Sequence, residues 1–243
     1  MESEKNASSN DLSPRERSPQ EFDIAAVDRA LRERRTVKVM ASSVAPPPTL
    51  RADGETAIRE AIAAAGWTPF HYPAAIADAA AGAPIEPWRV TLLDDAACRR
   101  LASLIEGDKE RSSRAGKIPS LLRGCGHLLL VTWLPEPEER EARKREEIDR
   151  EHLLAVGAFV QSLMIALQVR RFGTYWSSGG VLVEPELLSQ VGADRRERLA
   201  AALFVDHAPQ NVSDGVERVP GKLRERRSPA ASWTRSWNGP AGS

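Results

Sequence analysis

Phe172-Gly-Thr-Tyr-Trp-Ser-Ser-Gly-Gly180 is the stretch whose reading decides the fold. It reads as a Gly-aromatic-Ser turn directly after a long apolar helix, spanning His152 to about Arg171. The uncharged part of that helix, Leu153 to Val169, is 17 residues and is interrupted by Gly157, Gln161 and Ser162. A bilayer wants about 20 predominantly apolar residues, so a buried helix is expected here and no membrane partner. Its side chains are apolar around most of the circumference. Such a helix is either the spine of a domain or packs against a second copy of itself.

The dense charge run Glu136 to Arg150 precedes this helix and reads as a solvated helical face laced with i,i+4 pairs. His127-Leu-Leu-Leu-Val-Thr-Trp-Leu134 is nearly continuously apolar and reads as a central strand, closed by Pro135. Trp88 to Leu93 and Leu199 to Val205 are further strands. A helix from Asp94 to Ile105 is opened by Asp94 or Asp95, and a short one runs from Glu184 to Val191. Nearer the start, Phe22 to Arg34 is an amphipathic helix, Ser42 to Leu50 a proline-rich linker, and Asp53 to Ala65 a second helix with Ile58 and Ile62 buried. Trp67 to Pro87 is irregular, and periodicity is lost from Asp206 onward.

Helices and strands do not alternate strictly, and no glycine-rich turn follows a strand. The expectation is an α+β layered fold rather than a doubly wound dinucleotide domain. Residues 1–20 read as a disordered tail without a signal-peptide h-region, 21–210 as one domain, and 211–243 as a basic, Trp-containing extension. The chain carries 34 basic and 34 acidic residues, so no net field draws it to nucleic acid. Its two cysteines, Cys98 and Cys125, are expected as reduced thiols in a cytoplasmic protein rather than as a redox pair.

No Gly-x-Ser-x-Gly elbow, Walker A loop, His-Glu-x-x-His helix or Cys/His cluster at metal spacing occurs. The four histidines, 71, 127, 152 and 207, are far apart, and a structural role is expected for His127 and His207 at strand edges. No side chain is therefore assigned as catalytic and no metal is expected; a cofactor would have to carry the chemistry. Arg34-Arg35-Thr36-Val37-Lys38 offers guanidinium forks and a hydroxyl that suit a phosphate. The same residues also suit a basic helix C-terminus, where cations complement the dipole.

Four segments in this order resemble the nitroreductase family, and its compact NAD(P)H-dependent branch in particular. They are Arg34-Arg35-Thr36-Val37-Lys38, Ala65-Gly-Trp-Thr-Pro-Phe-His71, Pro87-Trp88 before the first strand, and Gly173 to Gly179 after the long helix. The resemblance covers about residues 24 to 210 and implies a mostly antiparallel sheet flanked by helices, with the long helix at a homodimer interface. It implies FMN as cofactor. Arg34, Arg35 and Thr36 would hold its phosphate and ribityl chain, and Trp67 and His71 would lie beside the flavin, His71 as a polar partner. Trp176, Ser177 and Ser178 would face the ring or phosphate from the partner subunit. The implied activity passes hydride from NAD(P)H through flavin N5 to a nitroaromatic, quinone or enone-like acceptor. Thr36 and Lys38 replace the usual Ser and Arg, and Trp67, Phe70 and His71 depart from the usual pattern. These departures motivate a second reading, a diverged scaffold or sensor without reductase activity. The basic run Lys222 to Arg227 is left outside the expected site.

Overall fold

The computed structural model describes residues 23–74, 84–207, 209 and 215–237. The expected tail at 1–20, Phe22, the middle of the loop before the first expected strand (75–83) and the last residues of the extension lie outside the described residues.

In chain order the elements begin with α1 (Ile24–Glu33), β1 (Val37–Ala41), α2 (Gly54–Ala65), β2 (Trp88–Asp94) and α3 (Asp95–Gly107). Next come α4 (Lys109–Arg114), α5 (Ile118–Gly124), β3 (His127–Trp133) and α6 (Ala142–Val169). Last are β4 (Gly173–Ser177), α7 (Pro185–Gln190), β5 (Arg198–Asp206) and β6 (Val216–Pro220). β2, β3, β5 and β4 form an antiparallel sheet in that spatial order, and β1 pairs with β6 in a separate antiparallel ribbon. This is the expected α+β architecture, an antiparallel sheet flanked by helices.

Why β3 is apolar at nearly every position follows from its place. It is flanked by strands on both edges and covered on both faces. Because successive side chains point to opposite faces, Leu128 and Leu130 enter one core and Leu129 and Val131 the other. The first core packs α3 and α5 through Leu101, Ile105 and Leu122. The second packs α2 and α6 through Ile58, Phe159, Val160, Leu163 and Leu167. Trp88 stacks on Phe159 with ring centroids 4.8 Å apart, locking the edge strand β2 to α6.

Helix starts follow the local chemistry. Asp94 caps α3 by accepting from Ala97 N at 2.7 Å, and Glu141 caps α6 by accepting from the amides of Arg143 and Lys144. Asp53 makes no cap bond; its carboxylate is engaged by Arg51 at 2.8 Å instead. The charge run and the apolar segment after it form one continuous helix of 28 residues. α6 is long and apolar enough to cross a membrane by length and composition, but its inner face is built into the second core.

The structure departs from the sequence reading in three places. Gly173–Ser177 is the edge strand β4, paired with β5 from Gly173↔Asp206 to Ser177↔Ala202, and the chain turns only beyond Ser177. β1 and β6 are strands, although periodicity is lost after Asp206 in the sequence. α4 and α5 occupy residues that carried no reading. All are short, of five to seven residues, so no pattern of period two or 3.6 accumulates in them.

Candidate functional site

α1 ends where Arg34 leaves helical geometry and the chain enters β1. Thr36, the residue just before β1, forms a parallel bridge with Thr174 of β4. The two segments singled out in the sequence, about 140 residues apart, thus meet within one subunit. Gly221, just after β6, donates its amide to Thr36 O at 2.8 Å, so the C-terminal arm closes the other side of the same residue.

Arginines gather at this junction. Arg34 Nη1 donates to Thr36 Oγ1 at 3.2 Å. Arg224 Nη1 reaches back to Arg34 O at 3.1 Å, and its Nη2 to Arg32 O. Burial, then the guanidiniums of Arg227, Arg224 and Arg35, push the Arg34 guanidinium below its ordinary value. No ion pair joins Arg34, Arg35, Arg224 or Arg227 to a carboxylate among the described residues. Like charges so placed repel, and an anion between them would relieve the repulsion and accept their donors. Thr174 Oγ1, buried and without a hydrogen-bond partner, adds an unused hydroxyl beside Thr36.

The other expected residues have different placements. Arg35 donates to Arg32 O at 3.0 Å and Glu33 O at 2.9 Å, capping the carbonyl end of α1. Lys38 Nζ lies 5.0 Å over the Tyr175 ring. Trp176 is 40% exposed on β4, and Ser178 is exposed. Ser177 Oγ accepts from Gly179 N at 3.1 Å. Gly179 has φ 103°, and a Cβ there would stand 2.3 Å from Leu199 Cδ2, so the turn after β4 requires glycine.

Trp67 and His71 belong to a second group. Trp67 follows α2 and is 87% exposed. Thr68 Oγ1 donates to Ser162 Oγ of α6 at 3.2 Å. Tyr72 Oη lies 3.3 Å from both Lys144 Nζ and Glu147 Oε1. His71 packs at a tilt against Tyr72, its ring centroid 4.4 Å away, and borders a cavity of about 420 Å³ with Phe70, Glu151 and Leu154. Among the described residues, no hydrogen bond, ion pair or ring contact joins this loop to the arginine group. The chain brings Arg34 and Thr36 to β4, and leaves Trp67 and His71 on the flank of α6.

His127 and His207, expected to be structural, pack on each other at the ends of β3 and β5. His127 Nδ1 and His207 Nε2 are 2.8 Å apart, the rings stack at 4.8 Å, and Arg51 N donates to His207 Nδ1 at 3.3 Å. Burial and the neighbouring His127 and Arg51 lower His207 to about 4. Arg224, Arg227 and Thr174 join this group without having been singled out in the sequence. The basic run at 222–227 is visible there, but its position depends on the β1–β6 pairing, which local pattern does not reveal.

Comparison with known proteins gives a family and a fold. The model of the nitroreductase family matches residues 31–205. Solved structures include a nitroreductase-like family protein from Bacillus cereus, 20% identical, TM-score 0.60, covering 88% of this chain and 96% of that one. A nitroreductase-type protein from Desulfovibrio desulfuricans in complex with FMN is 21% identical, TM-score 0.54, covering 88% and 98%. The FMN-dependent nitroreductase NfnB from Mycobacterium smegmatis, in complex with NADPH, is 15% identical, TM-score 0.51, covering 85% and 98%. At these identities the likeness is one of fold. No curated protein matches the sequence.

Proposed function

The chain belongs to the nitroreductase family, and from that premise we propose that it is an FMN-dependent oxidoreductase. The observation that carries the reading is Arg34, partly buried, crowded by Arg224, Arg227 and Arg35, and beside the unpartnered Thr174 hydroxyl. That donor set fits a phosphate monoester. Arg34, Thr36, Arg224 and Arg227 would hold the FMN phosphate, with Arg35 adding charge from behind. Trp176, Ser177 and Ser178, on or just beyond the adjoining edge strand, would approach the ring system. When bound, FMN would supply the two-electron chemistry, hydride transfer through N5 between NAD(P)H and a nitroaromatic, quinone or enone-like acceptor. The side chains then need only bind, orient and exclude water, which is consistent with the lack of an acid–base constellation.

The site is proposed to be completed in a homodimer of a cytoplasmic protein. α1 buries none of its residues, leaving Ile24, Val27 and Leu31 exposed. α6 exposes Leu153, Leu154 and Val169. Apolar surface on adjacent helices supports an isologous contact. Trp67 and His71, which among the described residues make no contact with the arginine group of their own subunit, would then serve the flavin of the partner.

Titration of cofactor-stripped protein with FMN and with riboflavin tests the function. FMN should restore the yellow flavin spectrum in the protein fraction, and riboflavin, lacking the phosphate, should bind at least tenfold more weakly. Equal affinities would remove the phosphate assignment; no binding of either would favour the scaffold reading. Sedimentation at several concentrations tests the dimer.

A further inference from the structure

Cys98 and Cys125, 27 residues apart in sequence, come together in the first core with their sulfurs 3.8 Å from one another. Cys98 lies in the first turn of α3, and Cys125 terminates α5, its amide bonded to Leu121 O. They are the only two cysteines in the chain, and both are fully buried as free thiols. Neither sulfur has a strong hydrogen-bond partner: Cys98 Sγ is 3.9 Å from Leu93 O and Cys125 Sγ 3.5 Å from Leu122 O. Composition gives no reason to pair them; the packing of α3 on α5 does.

We propose that Cys98 and Cys125 are an oxidisable pair that closes to a reversible intrachain disulfide, stapling α3 to the end of α5. A disulfide bond is about 2.05 Å long, so the sulfurs must approach by roughly 1.8 Å, within reach of a side-chain rotation and a small shift of the seven-residue α5. The oxidant is a peroxide. One thiolate attacks a peroxide oxygen, forming a sulfenic acid and releasing water once the leaving hydroxide takes a proton. The second thiolate attacks that sulfur, forming the S–S bond and expelling hydroxide, which is protonated to a second water. In sum, two thiols and one hydrogen peroxide give one disulfide and two waters, the two electrons passing from sulfur to oxygen.

Burial governs when this happens. Desolvation, then the adjacent Cys98, raises the Cys125 thiol well above its ordinary value, so thiolate is scarce in the closed core. Reaction waits for local opening of α5, and the product is protected once the core recloses. The staple also has a specific neighbour. Gly124, immediately before Cys125, packs so closely on β1 that a Cβ would stand 2.7 Å from Val39 O. β1 begins one residue after Thr36, so the bond braces the strand that leads out of the arginine group.

The test exposes reduced full-length protein to hydrogen peroxide, counts thiols after denaturation, and maps peptides without reduction. Both thiols should disappear together, with a single peptide pair joined through 98 and 125. Dithiothreitol should restore both thiols. The melting temperature of the cross-linked form should rise by roughly 5–15 °C, because a loop of this length loses denatured-state freedom. Cys98→Ala, treated identically, should show no rise. Loss of one thiol, sulfinic acid at either position, cross-links only between chains, or thiols that survive while a denatured control is oxidised would each overturn the proposal. So would a cross-linked form that melts no higher, or an equal rise in Cys98→Ala.

Discussion

Arg34 and Arg35 are adjacent in sequence and do different work. Arg35 bonds the last carbonyls of α1, whereas Arg34 turns to Thr36 and is crowded by the C-terminal arginines. Arg34→Ala should therefore weaken FMN binding by about 1.5–3 kcal/mol, the scale of a charge-assisted hydrogen bond, and Arg35→Ala by less. Arg32, exposed and paired with Asp28, is the control. Fluorescence titration of the three apoproteins checks the ranking, and equal losses at Arg34 and Arg32 would contradict it. Buried His207 makes a second prediction. Its folded value of about 4 lies below its ordinary 6.5, so below pH 6.5 the unfolded chain binds the extra proton. Stability is complete above that pH and falls as pH drops from about 6.5 towards 4, with a loss of about 2 kcal/mol by pH 5. Urea midpoints at pH 7.5 and 5 should show it; a flat profile would deny His207 its buried neutral state. Arg34 and Thr36 are legible in the sequence because a guanidinium and a hydroxyl at a helix end suit a phosphate. Arg224 is not, because a basic run carries no address until its strand has a partner.

At the scale of elements, legibility follows length and burial. β3 and the apolar half of α6 are long and covered, so their patterns are strong. β4 reads as a turn in the sequence because its five residues include one glycine and alternate weakly between the core and solvent. β1 and β6 each cover only five residues and are partly exposed, and their pairing joins distant segments that no short window contains. The two faces of α6 make separable predictions. Leu163 is fully buried in the second core, and Leu163→Ala should cost about 2–5 kcal/mol of unfolding free energy. Leu154 is 63% exposed in the single chain, so Leu154→Ala should leave the monomer within about 0.5 kcal/mol. If α6 packs on its symmetry mate, the same change raises the dimer dissociation constant. Urea unfolding at low concentration and sedimentation across concentrations measure the two effects independently.

For the whole molecule, one antiparallel sheet separates two apolar cores, and the proposed cofactor site sits outside both, at a seam between α1, β4 and the arm after β6. Neither core needs that arm. A chain ending after Pro220 retains every residue of both buried clusters and loses Gly221, Arg224 and Arg227. It should fold with a cooperative melt yet bind FMN at least tenfold more weakly, as expected for removing charge-assisted donors. Calorimetry paired with flavin titration reads both outcomes, and full affinity in the shortened chain would return the phosphate to Arg34 and Arg35 alone.

The ribbon of β1 and β6 also sets an order of events. Arg34 and Arg224 are separated by 190 residues, and the bond between them needs that ribbon to be formed. During synthesis the buried residues of both cores are all added before Arg224, while the proposed anion cradle still lacks it. If the proposed site is the one that takes the cofactor, its capture is deferred to a chain that is already built and packed.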